Sequence, residues 1–170
     1  VGYSDNLART ATDEQGESIY TAGVALDWER DGSRLDGKLA AGLDWYNYSG
    51  DLFDDELLGR AIADLKFGFI PGRFDWVLVD TYGQTAFDPL QPVTEANRQN
   101  VNALSTGPDL TARFGSATFL QLSGRYNDVR YEESLTDYDG WSASLSLGRE
   151  LSEVSSVRLV VARDTVRYAN

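Results

Sequence analysis

The connections between strand-length segments of this chain alternate between short and long along the whole sequence. Tight-turn sequences stand at 30–33, 70–73 and 114–116, and a slightly longer one at 151–155. Longer polar stretches lie between them, at 11–17, 49–56, 87–100 and 132–140. Such a chain runs up and down through one sheet, with tight returns on one side and roomy loops on the other. Transmembrane β-barrels of the bacterial outer membrane are built in this way.

Apolar and polar residues alternate within each segment between a turn and a loop. In the clearest segment, Tyr20, Val24 and Trp28 share one face, while Thr21 and Asp27 share the other. Because successive side chains of a strand point to opposite faces, this pattern predicts one apolar wall and one polar wall. Aromatic rings stand at both ends of the apolar wall, where the two interfaces of a bilayer would lie.

The other segments follow the same logic and predict about nine strands, the first at 2–9. The fifth, 74–85, carries Asp80 on its apolar face, for which we expect a β-bulge near Asp80. The sixth, 102–114, contains Pro108, which predicts a bulge or a locally open pairing. The ninth, 156–168, is compatible with either register. We expect the terminal aromatic residues to lie at the lipid interface: Tyr20, Trp28, Trp45, Phe67, Phe69, Tyr126 and Trp141.

Charged residues occur in the middle of the polar walls, where contact with lipid would cost a few kcal/mol each. We therefore expect them to face a lumen. Two interpretations stand side by side: a constriction or cation-selective path, and a ladder in which bases neutralise acids across strands. The predicted lumen-facing set is Asp27, Asp36, Lys38, Asp44, Arg60, Asp64, Lys66, Arg113 and Arg125.

Composition removes several classes of function. The chain has no Cys and no His, which excludes a Ser-His-Asp triad, thiolate chemistry and His-ligated zinc. A net charge of -12 argues against nucleic-acid binding, which requires a basic face. No apolar run is long enough for a transmembrane helix, although spanning strands need only about 9–11 residues. We expect no cofactor, no metal centre and no enzymatic activity; an enzyme here would have to use carboxylates alone.

Acids are concentrated in the long connections, which also contain two further candidate features. Their charge serves either solubility or divalent-cation bridging to an anionic polysaccharide. The Pro-containing loop at 87–100 either folds inward as a constriction or packs over the mouth. The aromatic residues Trp45, Tyr46 and Tyr48 form either a sugar-stacking platform or part of an interfacial girdle.

Several short stretches spread over most of the chain resemble one family of membrane proteins. They are 2–7, 80–85 with Asp88-Pro89, 97–102, 106–110, 124–129 and 149–152. Together these stretches resemble the β-barrel porins associated with exopolysaccharide and exosortase (PEP-CTERM) systems of Gram-negative bacteria. The resemblance implies an outer-membrane location and a role in an envelope polysaccharide system. It also implies truncation, since such porins are longer, and it supplies no catalytic residues.

We therefore expect residues 1–170 to form a single all-β domain. It would be an antiparallel up-and-down transmembrane β-barrel, represented by about nine strands of a larger barrel cut at both ends. The expected role is a porin-like channel or an export-associated component in the bacterial outer membrane. Expected partners are outer-membrane lipid, lipopolysaccharide, and polysaccharide or small solutes. Three alternatives stay open: a plugged structural or adhesive barrel with acidic ligand-binding loops, a soluble β-sandwich binding module, and an outer-membrane enzyme.

Overall fold

The computed structural model describes residues 2–4, 16–50, 54–91, 94, 97–133 and 136–169. These residues form nine strands, of which the eight after the first are 12 to 16 residues long. The strands are β1 (Gly2–Ser4), β2 (Glu17–Arg30), β3 (Leu35–Tyr48), β4 (Glu56–Ile70), β5 (Phe74–Thr85), β6 (Gln99–Phe114), β7 (Thr118–Tyr131), β8 (Tyr138–Ser152) and β9 (Ser155–Tyr168).

The strands form one sheet in sequence order, and every neighbouring pair is antiparallel. The prediction of an all-β, up-and-down chain of nine strands is thus confirmed. The sheet is not closed into a barrel: within the described residues, β9 contacts β8 alone and β1 contacts β2 alone. The expected first strand at 2–9 is described only as Gly2–Ser4, and its remainder lies outside the described residues.

All four tight turns fall at one end of the sheet. They connect strands through residues 31–34, 71–73, 115–117 and 153–154. Gly72 and Gly115 both have a φ of 69°, the left-handed conformation that glycine adopts without a steric penalty. The last turn is tighter than expected, because a register shift between Glu150 and Ser152 extends pairing almost to the turn. The long connections all lie at the opposite end.

The two faces of the sheet differ in chemistry. Residues that stand opposite one another in neighbouring antiparallel strands share a face, so the register assigns each side chain. The polar face is the one that carries Asp27, Asp36, Asp64, Arg125 and Asp164. The apolar face is the one that carries Trp28, Leu43, Leu65, Leu122 and Trp141.

The predicted bulge near Asp80 is wrong. Asp80 pairs in regular register with Ala63 on one side and Leu104 on the other. Its carboxylate stays on the apolar face and accepts a hydrogen bond of 2.9 Å from Nδ2 of Asn102, so no change of register is needed. The irregularity between β4 and β5 lies instead at Gly68–Ile70, beside the tight turn.

The prediction for Pro108 is confirmed in one of its two forms. Regular pairing between β6 and β7 stops after Thr106 and resumes at Asp109 with the same register. The strands therefore open locally without a bulge, since proline has no N–H to donate. Toward β5, Pro108 remains in register opposite Trp76.

A hydrophobic core is missing from the described residues, in which Val129 is the single buried apolar side chain. The accessible surface is 11785 Å² for 18.8 kDa. A compact soluble protein of this mass exposes about 8,300 Å². No second sheet covers either face of the described sheet, so the packed pair of sheets expected of a β-sandwich does not form. The described residues include no helix long and apolar enough to cross a membrane.

Candidate functional site

The polar face of the sheet contains two hollows, and we call it the concave face. A cavity of about 460 Å³ on this face is lined by residues of all five strands from β5 to β9, among them Val79, Val129 and Asp164. A flat sheet would place β5 and β9 almost 20 Å apart, because neighbouring strands are spaced by about 4.8 Å. A second cavity of about 260 Å³, between β2 and β5, is lined by Asp27 and Arg60.

All nine charged residues predicted to face a lumen lie on this concave face. Three of the bases bind acids on a neighbouring strand within β2 to β4, two near the tight turns and one nearer the long loops. The Lys38 ammonium lies 2.8 Å from the Glu29 carboxylate, and Lys66 lies 3.6 Å from Asp36. Arg60 binds Asp44. A ladder of opposite charges across strands is therefore present.

Arg125 lies where the regular pairing of β6 and β7 is interrupted. Its guanidinium donates to the Pro108 carbonyl at 3.0 Å and to the Gly124 carbonyl at 2.7 Å. It also binds the Asp109 carboxylate at 2.8 Å. The side chains of Arg125 and Asp109 are only 22% and 15% exposed, which makes this one of the most enclosed ion pairs of the polar face. Arg125 thus supplies donors where the proline leaves the ladder open.

The tight-turn end of the polar face is organised around Phe119. The guanidinium of Arg113 lies 6.0 Å from the ring centroid, and that of Arg158 lies 5.2 Å from it. Arg113 also pairs with Glu150 at 3.5 Å. Cation–π contact holds both arginines over one ring. Arg158, Glu150 and Phe119 were not among the predicted site residues.

The charge ladder is incomplete. Asp27 and Asp64 were expected to be neutralised by neighbouring bases, yet neither has an ion pair in the described part of the chain. Asp64 stands directly opposite Lys38, but the Lys38 ammonium binds Glu29 on the other side.

An enclosed polar cluster lies at the long-loop end of the polar face. Arg98, at the end of the 86–98 connection, reaches across β5 and binds both carboxylate oxygens of Glu56 on β4. The Tyr48 hydroxyl donates to the same carboxylate at 2.8 Å. Burial, reinforced by the Glu56 charge, raises the pKa of Tyr48 to about 12. The loop is therefore tied to the concave face by its last residue.

The three aromatic residues at the end of β3 do not form one platform. Trp45 stands opposite Ala22 on the apolar face, whereas Tyr46 stands opposite Thr21 on the polar face. Tyr48 shares the polar face with Tyr46, but its hydroxyl is engaged by Glu56. A single sugar-stacking surface of all three rings is therefore not formed.

The seven predicted interfacial aromatic residues all lie on the apolar face. Two pairs of rings involving them are in contact: Tyr126 with Trp141 at 5.0 Å, and Phe69 with Phe74 at 5.2 Å between centroids. We call Tyr20, Trp45, Tyr126 and Trp141 the loop-side aromatic belt, and Trp28, Phe67 and Phe69 the turn-side aromatic belt. Trp76, whose Nε1 donates to Thr106 at 2.8 Å, also lies on this face and was not among the predicted interfacial residues.

Residues that stand opposite one another from strand to strand form a row that crosses the sheet. The loop-side aromatic belt runs obliquely to these rows. The row through Trp141 passes Tyr126 and Leu78 and meets β3 at Gly37. Trp45 lies eight residues beyond Gly37 along β3. Eight residues along a strand span about 26 Å, and the five steps from β8 to β3 span about 24 Å. A line from Trp45 to Trp141 therefore makes an angle of about 45–50° with the rows. The strands are inclined by the same angle to the direction perpendicular to that line.

The turn-side aromatic belt is inclined in the same sense. The row through Trp28 passes Leu39 and meets β4 at Ala63, and Phe67 lies four residues further toward the tight turn. Four residues over two strand steps correspond to an inclination of about 54°. The two belts are therefore close to parallel, although neither belt follows a row of the sheet.

Polar residues on the apolar face gather beyond the loop-side aromatic belt. Asp128 and Arg130 form an ion pair of 2.7 Å on β7, and Arg167 of β9 pairs with Asp139 of β8 at 2.9 Å. On β9, Arg163 stands opposite Ala143, level with the belt once its inclination is taken into account. Among the charged residues that the structure describes, Asp80 alone lies clearly within the apolar band, where Asn102 donates a hydrogen bond to it.

No group of three or more His, Cys, Asp or Glu side chains in the described ranges is arranged to hold a metal ion. The fold thus defines an open, concave antiparallel sheet with one charged face and one apolar face. Comparison of the chain with protein-family models, with curated proteins and with solved structures gave no match.

Proposed function

We propose that the chain is a wall of an outer-membrane β-barrel, and that it acts as a porin-like channel or an export-associated component of the envelope. The observation that carries this proposal is the pair of parallel aromatic belts on an exposed apolar face. An inclination of about 45–50° is close to the 35–45° at which strands cross outer membranes. Rings in two planes on either side of an aliphatic band match the two interfaces of a bilayer.

The size of the exposed surface supports the same proposal. Soluble strands are usually about 5–6 residues long and bury one face against a second layer. Here β4 has 15 residues, and its apolar side chains Leu57 and Phe69 are exposed, as is Leu43 on the same face of β3. Lipid would cover this face without any further protein layer.

The concave polar face would then line the interior of the barrel. Its charged side chains would meet water rather than hydrocarbon, which removes the cost of burying them. In a bilayer, the outer edges of the first and last strands, β1 and β9, must find hydrogen-bond partners. We therefore propose that the sheet closes in lipid, through its own edges or those of further strands, so that the concave face becomes a lumen.

The link to polysaccharide rests on the resemblance to exopolysaccharide-associated porins alone. We propose no enzymatic role. A plugged structural or adhesive barrel is the second candidate, and the contact between Arg98 and Glu56 favours it. That contact ties the 86–98 connection onto the concave face, as expected for a loop that narrows or closes a lumen.

Conductance across a planar bilayer separates these candidates. The chain is first refolded into lipid vesicles, and insertion is verified by protection of its strands from added protease. Stepwise current after fusion with the bilayer is the result that the channel predicts. Verified insertion without current would contradict the channel and favour the plugged barrel, and a well-folded chain that ignores lipid would contradict both.

A further inference from the structure

The concave polar face carries more carboxylates than its bases can pair. Six ion pairs form on this face within the described residues, and each joins one base to one acid. Four carboxylates of the same face have no ion pair there: Asp27, Asp64, Asp75 and Asp164. Three bases of this face also have no ion pair in the described residues, and all three lie near the tight turns: Arg158, over the ring of Phe119, and Arg34 and Arg73, at the ends of two turns.

The unpaired carboxylates stand where the face is hollow. Asp27 lines the cavity of about 260 Å³ between β2 and β5, and Asp164 lines the cavity of about 460 Å³ between β5 and β9. Thr81 borders both cavities, so the two hollows adjoin at β5. Each hollow thus presents one carboxylate that no cation of the described protein neutralises.

We infer that this face selects cations, so that the proposed channel passes small cations and positively charged solutes in preference to anions. The inference rests on the proposed function, because it takes the concave face as the lumen. Unpaired charges of one sign along a low-dielectric wall raise the local concentration of counter-ions. Rings and rows of Asp are a common basis of cation preference in pores. Paired charges contribute little to this field, since each base cancels the acid beside it.

The reversal potential in a KCl gradient tests the inference on the refolded chain. We expect a potential of the sign set by K⁺, corresponding to a several-fold preference for K⁺ over Cl⁻. Replacing Asp27 and Asp164 together with Asn removes two of the four unpaired carboxylates and should lower the permeability ratio toward that of free solution. Replacing both with Lys should reverse the preference.

Asp80→Asn is the matched control. It makes the same chemical change on β5, but on the apolar face, where Asn102 already bonds the carboxylate. This variant should leave the reversal potential unchanged. A channel that prefers Cl⁻ or shows no preference would overturn the inference while leaving the proposed channel intact. Verified insertion without any current would overturn both, and an equal effect of Asp80→Asn would overturn the role of the concave face.

Discussion

The apolar and polar faces of this sheet are built from the same strands but are ordered by different interactions. On the apolar face, the aromatic residues form two belts that cross the hydrogen-bonded rows obliquely, and few of them touch one another. On the polar face, order comes from pairwise contacts within or next to a row, such as Lys38 with Glu29 and Arg125 with Asp109. Under the proposed function, the side chains of the apolar face are aligned with the bilayer, whereas those of the polar face are aligned with one another.

The largest predicted difference between the two faces comes from a single charge placed on either face of β3. Ala40 lies on the polar face opposite Asp27, and Ala41 lies on the apolar face, midway between the two belts. We expect Ala41→Arg to lower the free energy of unfolding from lipid by about 2–4 kcal/mol, as for an arginine at the bilayer midplane. Ala40→Arg should be close to neutral. Urea unfolding in vesicles measures both, and equal costs would contradict the assignment of the faces.

Glycine at the opening between β6 and β7 offers a second test. Gly107 has a φ of 157°, and an added Cβ would collide with the Gly124 carbonyl. We expect Gly107→Ala to destabilise the fold by about 2–3 kcal/mol. Gly124→Ala is the control across the same opening, because its Cβ would meet only Pro108 at 3.9 Å, an ordinary contact. Unfolding midpoints that do not separate the two variants would contradict the close approach of these strands.

Removing the guanidinium that fills the same opening should cost somewhat less. Arg125→Ala leaves the Pro108 carbonyl and the Asp109 carboxylate without their donor. We expect a loss of about 1–2 kcal/mol in the free energy of unfolding. Arg158→Ala, which removes an arginine with no ion pair in the described residues, should cost little. A double-mutant cycle with Asp109→Asn would show additive losses if Arg125 and Asp109 did not interact.

The smallest predicted effect concerns pH at the long-loop end. Because the pKa of Tyr48 is raised to about 12, the folded protein keeps the proton that the unfolded chain loses near pH 10. Stability from this group is therefore complete below pH 10 and is lost as the pH rises toward 12. Ultraviolet difference absorbance against Tyr48→Phe should show one phenol that ionises later than the others. If this phenol ionised over the same pH range as the exposed tyrosines, the result would contradict its burial beside Glu56.

The sequence could predict the elements whose signal is local. Alternation such as Tyr20 to Trp28 on β2 fixes which side chains share a face, and Gly72 and Gly115 mark two of the tight turns. For this reason the nine strands, their order and the common face of the predicted charged residues follow from the order of the amino acids alone. The lumen and the membrane themselves stay predictions.

The missed features depend on contacts between distant parts of the chain. Asp80 interrupts the local pattern, and its hydrogen bond to Asn102 cannot be read from β5 alone. In β9, both alternate sets of residues mix apolar and charged side chains, so its face was decided only by pairing with β8. Arg98 meets Glu56 across 42 residues of sequence. No local signal indicates that pair.

Depth-dependent fluorescence quenching shows directly whether the apolar face lies in a bilayer, with its aromatic belts at the interfaces. Variants that keep one tryptophan each, at position 28, 45 or 141, are refolded into vesicles containing lipids brominated at known depths. We predict quenching at interfacial depth for all three. Trp45 and Trp141 should lie at the same distance from the bilayer centre, although they stand eight residues apart in the register of the sheet. Absence of quenching, or different depths for Trp45 and Trp141, would contradict the inclined apolar face as a membrane surface.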